Sequence, residues 1–151
     1  ELGFFTAKFE LYDPNLIHSS TLLELGSYIK IIFPLEMPEN WVRVTEIYTD
    51  DSKAYFIVHP MSNPLEDSPN EVAHFLQEKA SSIFKVAIDG TRVYGYEIGR
   101  NEVINNTGTK AGNRKFINTL MAWGGWLGMQ RYQWGKLTSY FVRTEPLLTK
   151  T

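Results

Sequence analysis

Between Asn105 and Lys115 the chain reads Asn-Asn-Thr-Gly-Thr-Lys-Ala-Gly-Asn-Arg-Lys. This combination has the chemistry of an anion cradle. If a helix begins near Asn113, its free N–H groups and the positive end of its dipole face the loop. Gly108 and Gly112 let backbone amides approach a phosphate closely, and Lys110, Arg114 and Lys115 add charge. Cations in a first helical turn oppose the dipole and cost a few tenths to about 1 kcal/mol each. A bound anion removes that penalty. The loop is not of Walker type, because the Gly-Lys-Ser/Thr ending is absent and the glycines are wrongly spaced. The plain alternative is a connecting loop whose charges are simply solvated.

The cradle belongs to a wider asymmetry. Residues 107–151 hold seven Lys and Arg against one acid, Glu145, while residues 1–106 hold eight against sixteen. The near-neutral total of −2 therefore hides a dipolar chain. The basic part adds Arg131, Lys136 and Arg143, and it contains Trp126, Tyr132, Trp134 and Tyr140. Cations interleaved with flat rings suit a partner that carries phosphates and stacking bases. They also suit an acidic protein surface. The segment Trp123-Gly124-Gly125-Trp126-Leu127-Gly128 sharpens the choice. Three glycines in one helix cost roughly 1 kcal/mol each relative to Ala. Either they make room for buried indoles, or they leave Trp126 and Trp134 standing open as stacking rings.

Other chemistries lack their residues. There is no cysteine, so disulfides, thiolate zinc sites and cysteine nucleophiles are out. His18, His59 and His74 are dispersed, and His18-Ser19-Ser20 has no second His-x-Ser element to match it. The acid pairs Asp50-Asp51 and Glu66-Asp67 fall in turn-like sequence, where carboxylates are ordinarily solvated. No Gly-x-Ser-x-Gly and no dinucleotide fingerprint occurs. The expectation is no catalytic residue, no metal and no cofactor.

The elements that would carry these residues come mostly in hairpins. Leu2 to Tyr12 alternates, with Phe5, Ala7, Phe9 and Leu11 on one face, and ends at Asp13-Pro14-Asn15. Tyr28 to Phe33 reads as a strand. Trp41–Tyr48 and Lys53–Val58 flank the loop Thr49-Asp50-Asp51-Ser52. Ser68, Pro69 and Glu71 form a helix start, and Val72, Phe75, Leu76, Ala80 and Ile83 continue it as an apolar stripe. Lys85–Ile88 and Thr91–Ile98 flank Asp89-Gly90, a two-residue hairpin signal. A second helix is expected from Asn113 towards Tyr132, and a last strand from Lys136 to Arg143.

This order predicts an α+β fold: a mostly antiparallel sheet built from hairpins, with two helices packed on one face. A small barrel over Tyr28 to Val58 with an appendage is the alternative. Residues 1–151 read as a single domain cut from a longer chain, since the first residue is Glu1. The longest mainly apolar stretch, Phe116 to Met129, is too short for a bilayer, which needs about 20 residues. The expected setting is intracellular and away from membranes. The expected role is a non-enzymatic binding module with a preference for nucleic acid, RNA or DNA. A protein–protein or assembly module, including self-association, is the alternative. An enzyme on phosphate-containing substrates ranks third, because no general base or nucleophile stands beside the 105–115 loop.

Overall fold

A computed structural model of the chain describes residues 6–19, 22–34, 39–66, 79–101 and 126–142. Seven strands are present there: β1 (Lys8–Tyr12), β2 (His18–Ser19), β3 (Tyr28–Ile32), β4 (Asn40–Thr49), β5 (Lys53–Met61), β6 (Ser81–Asp89) and β7 (Arg92–Arg100). They form one sheet in the order β2-β1-β3-β4-β5-β6-β7, and every pairing is antiparallel. One helix follows, α1 (Trp126–Phe141). The mostly antiparallel sheet was legible in the hairpins. The barrel alternative fails, since β3, β4 and β5 continue into the same open sheet.

The turns explain the hairpins. In the β4–β5 loop, Asp50 N–H donates to the Lys53 carbonyl at 2.8 Å. In the β6–β7 loop, Asp89 pairs with Arg92, so the two turn residues are Gly90 and Thr91, one position later than the Asp-Gly signal implies. Only Gly90 has positive φ, +59°. Glycine at the first turn position with φ above zero is the requirement of a type II′ turn.

Alternation then sorts the side chains. One sheet face presents Phe9, Ile31, Val42, Val44, Val58, Phe56 and Phe84 to the core, joined by Ala7 and Phe33. Helix α1 covers this face with Trp134, Leu137 and Phe141, spaced i, i+3 and i+7. Trp134 touches Phe9 on β1 at 5.9 Å and Phe84 on β6 at 5.1 Å between ring centroids. The two phenylalanine rings therefore lie within about 11 Å, whereas four strand spacings in a flat sheet span about 19 Å. The sheet curls around the helix. The extra residue in β4 between Val44 and Glu46 is a bulge of the kind that bends a strand.

Two contacts fix the helix at opposite margins of the curl. The Ala7 N–H donates to Gln133 Oε1 at 2.6 Å, and Gln133 is buried. On β7, Gly95 lets the helix backbone approach: an added Cβ would lie 2.7 Å from Thr138 Cγ2 and 3.2 Å from the Thr138 carbonyl oxygen.

Two expectations are corrected. The stripe ending at Ala80 and Ile83 does not finish as a helix, because β6 starts at Ser81 and Ile83 pairs with Ile57 and Ile98. The β-prone run from Ile83 to Val86 is claimed by its hairpin partner. Its proposed start, from Ser68 to Leu76, lies outside the described residues. Likewise Lys136 to Phe141 is not a strand but the second half of α1. The start of the second helix near Asn113 falls outside the described residues, so two helices on one face reduce to one described helix.

Candidate nucleic-acid interface

Packing of Trp134, Leu137 and Phe141 against the sheet turns the opposite side of α1 outward. Tyr132, Lys136 and Tyr140 lie there at i, i+4 and i+8, while Arg131 is exposed about a quarter turn round the helix from Tyr132. Tyr132 and Tyr140 are exposed, at 44% and 63%. The Lys136 Nζ sits 5.9 Å from the Tyr132 ring centroid. The 16-residue helix contains no acid, and neither its first turn is acidic nor its last turn basic. Its two cations therefore sit mid-helix, where they do not complement the dipole ends.

The remaining predicted residues separate. Trp134 is corrected: it is 7% exposed and wedged between Phe9 and Phe84, so its ring is not open for stacking. The concave face needs a large apolar body where β1 and β6 converge, and the indole fills that position. Trp41, the other indole with a described side chain, is 2% exposed. Trp126 opens α1. Lys110, Arg114, Lys115 and Arg143 lie outside the described residues, as does the whole 105–115 loop.

The structure also assembles a surface that the sequence reading passed over. All eight tyrosines of the chain lie on the outer side of an element. Six stand on the sheet face away from the helix, and Tyr132 and Tyr140 stand on the helix. The described phenylalanines go inward, and the rings divide by whether they carry a hydroxyl. Register places Tyr48, Tyr55, Lys85 and Tyr96 in a single rung across β4, β5, β6 and β7. Tyr48 and Tyr55 stack at 5.1 Å with 14° between planes. The Lys53 Nζ lies 5.3 Å from the Tyr48 ring and the Lys85 Nζ 5.6 Å from the Tyr96 ring. Period-two spacing of tyrosine, read together with the two hairpin turns, was the available signal. One rung further, Ile83 is buried, and around Trp41 the same face is closed by Tyr12 and the Lys30–Glu39 ion pair. The open area is thus the β4–β7 rung with Tyr94 next to it.

Carboxylates hold this surface in place. Tyr55 OH donates to Glu46 Oε1 at 2.6 Å, and Tyr48 OH donates to Asp50 Oδ2 at 2.9 Å. Both phenols are pushed above their ordinary range, chiefly by these bonds. Asp50 Oδ1 also accepts from the Ser52 and Lys53 backbone N–H groups and from Ser52 Oγ, each at 2.8 Å. These donors, the Ser52 N–H first, hold the Asp50 carboxyl far below the usual carboxylate range. The folded protein thus binds this proton more weakly than the unfolded chain does. The resulting stability is complete above the unfolded pKa, about 3.9, and fades as pH falls below it towards the folded value. Urea midpoints of the wild type and Asp50→Ala are expected to converge between about pH 6 and pH 2. A gap that stays constant over that range would mean that the Asp50 charge contributes nothing.

Among the described residues, no group of three or more His, Asp or Glu could hold a metal, and no helix is long and apolar enough to cross a membrane. No protein-family model, curated protein or solved structure matches this chain.

Proposed function

We propose that this chain is a non-enzymatic binding module whose preferred ligand is nucleic acid, held through the outward side of α1. The carrying observation is an acid-free helix whose outward stripe alternates ring and cation, with Tyr132 and Tyr140 exposed, Lys136 half-buried between them and Arg131 exposed about a quarter turn from Tyr132. Cations there meet phosphates, and the tyrosines offer faces for stacking, worth about 1–3 kcal/mol per base. Lys110, Arg114, Lys115, Arg143 and Trp126 extend the same interface in this reading.

Fluorescence anisotropy with mixed-sequence single-stranded and duplex probes tests it. Binding at low salt is expected with Kd of about 1–100 μM, weakening linearly in log–log form as salt rises. Replacing Arg131 and Lys136 together by Ser is expected to reduce the slope by about 1–2. No binding of either probe at low salt and tens of micromolar protein removes the reading. A protein partner is the second reading, supported by the exposed tyrosines of the sheet face.

A further inference from the structure

The outer face of β4–β7 carries charge of both signs. Glu46, Asp50, Asp51 and Asp89 stand on it or at its turn end, against Arg43, Lys53, Lys85, Arg92 and Arg100. At the open rung, an acid and a cation stand on different strands: Glu46 on β4 and Lys85 on β6. The rung has a further property. Read from β4 it runs ring, ring, cation, ring; read from β7 it runs ring, cation, ring, ring. Lay one copy on another about a two-fold axis parallel to the strands, between β5 and β6. Tyr55 then meets Lys85 at the crest of this convex face, twice over, and Tyr48 and Tyr96 flank that contact. The Glu46 carboxylate, held at the tip of Tyr55, comes to the Lys85 ammonium of the other copy. This is the isologous matching that a two-fold interface requires, with tyrosine at its centre.

We infer that this face binds a second copy of the chain, forming a two-fold dimer in which the Tyr48–Tyr55–Lys85–Tyr96 rungs of the two copies lie antiparallel. The helices then face outward on both sides, so the dimer and the nucleic-acid reading use different surfaces and stand or fall separately.

Light scattering or sedimentation equilibrium on the whole chain, from micromolar to millimolar concentration, reads the mass. The wild type is expected to rise from 17.4 kDa towards twice that value. Lys85→Glu and Glu46→Lys are each expected to weaken self-association by at least about tenfold, and an equimolar mixture of the two to dimerise again. Restoration on mixing is not an effect that misfolding produces. As a second measurement, the chain has no cysteine of its own, so Tyr48→Cys and Tyr96→Cys variants are expected to crosslink to each other through a short bifunctional maleimide, which spans the roughly 10 Å between face-packed sheets, faster than either does to itself. A wild type that stays at 17.4 kDa throughout overturns the inference. So does a dimer that ignores both charge reversals and the cysteine pair, since its interface must then lie elsewhere. Unaltered anisotropy in the Lys85→Glu variant leaves the helix reading intact whichever way the mass behaves.

Discussion

Trp134→Ala is expected to destabilise the fold by about 3–5 kcal/mol, the range for removing a large buried ring. The indole is the wedge that α1 drives between β1 and β6, touching Phe9 and Phe84 at once. Without it, the two sides of the curled sheet lose their common contact. For a domain of this size 1 kcal/mol corresponds to about 2–4 °C, so the melting midpoint should fall by about 6–20 °C. Trp134→Phe should be far milder. The indole Nε1 is buried with no hydrogen-bond partner among the described residues, and an unsatisfied donor costs about 1–3 kcal/mol. Phenylalanine removes that cost while forfeiting part of the ring volume, so the two changes oppose each other. Chemical denaturation of both variants checks this, and equal losses for Ala and Phe would contradict it. A surface stacking tryptophan would behave oppositely, losing ligand affinity with an unchanged midpoint.

What was legible in the sequence had local causes. The β4–β5 and β6–β7 hairpins show in their turn residues and flanking alternation, and they make up most of the sheet. The inward placing of Ala7 and Phe9 follows from alternation alone. The curl does not, because it depends on a bulge at Val44/Glu46 and on one side chain linking strands distant in sequence. The end of the chain misled for a related reason. From Lys136 onward, the residues Leu137, Thr138, Tyr140, Phe141 and Val142 look strand-like by propensity. Trp134, Leu137 and Phe141 are nevertheless at helical spacing, and the concave face rewards that spacing with burial. Tertiary packing outweighs a propensity preference that spans only about 1 kcal/mol. For the candidate site, helical geometry separates what charge counting had pooled: Trp134 turns in, while Tyr132, Lys136 and Tyr140 turn out.

Gly95→Ala is expected to destabilise by about 1–3 kcal/mol and Gly95→Val by more, although both residues are better strand formers than glycine. The opposing contributions can be ranked. Gain in strand propensity is at most about 1 kcal/mol. Against it, the new Cβ falls 2.7 Å from Thr138 Cγ2, 3.0 Å from Val142 Cγ1 and 3.2 Å from the Thr138 carbonyl oxygen. A methyl group could rotate away in principle, but threonine has few helical rotamers, and the carbonyl moves only with the helix. Withdrawal of α1 would strain the Ala7–Gln133 hydrogen bond at the other margin. Thr138→Ala in the same chain removes the nearest atom, along with a buried hydroxyl that has no partner among the described residues. The double variant should recover much of the loss, with a coupling energy of about 0.5–3 kcal/mol. Gly135 supplies the contrast: it lies on α1 with nothing among the described residues within 4 Å of an added Cβ. Gly135→Ala should therefore stabilise by about 0.8–1 kcal/mol through helix propensity alone. If Gly95→Ala instead raised the urea midpoint as Gly135→Ala does, the close seating of α1 on β7 would be wrong. The outward direction of Tyr132, Lys136 and Tyr140, which follows from that seating, would be wrong with it.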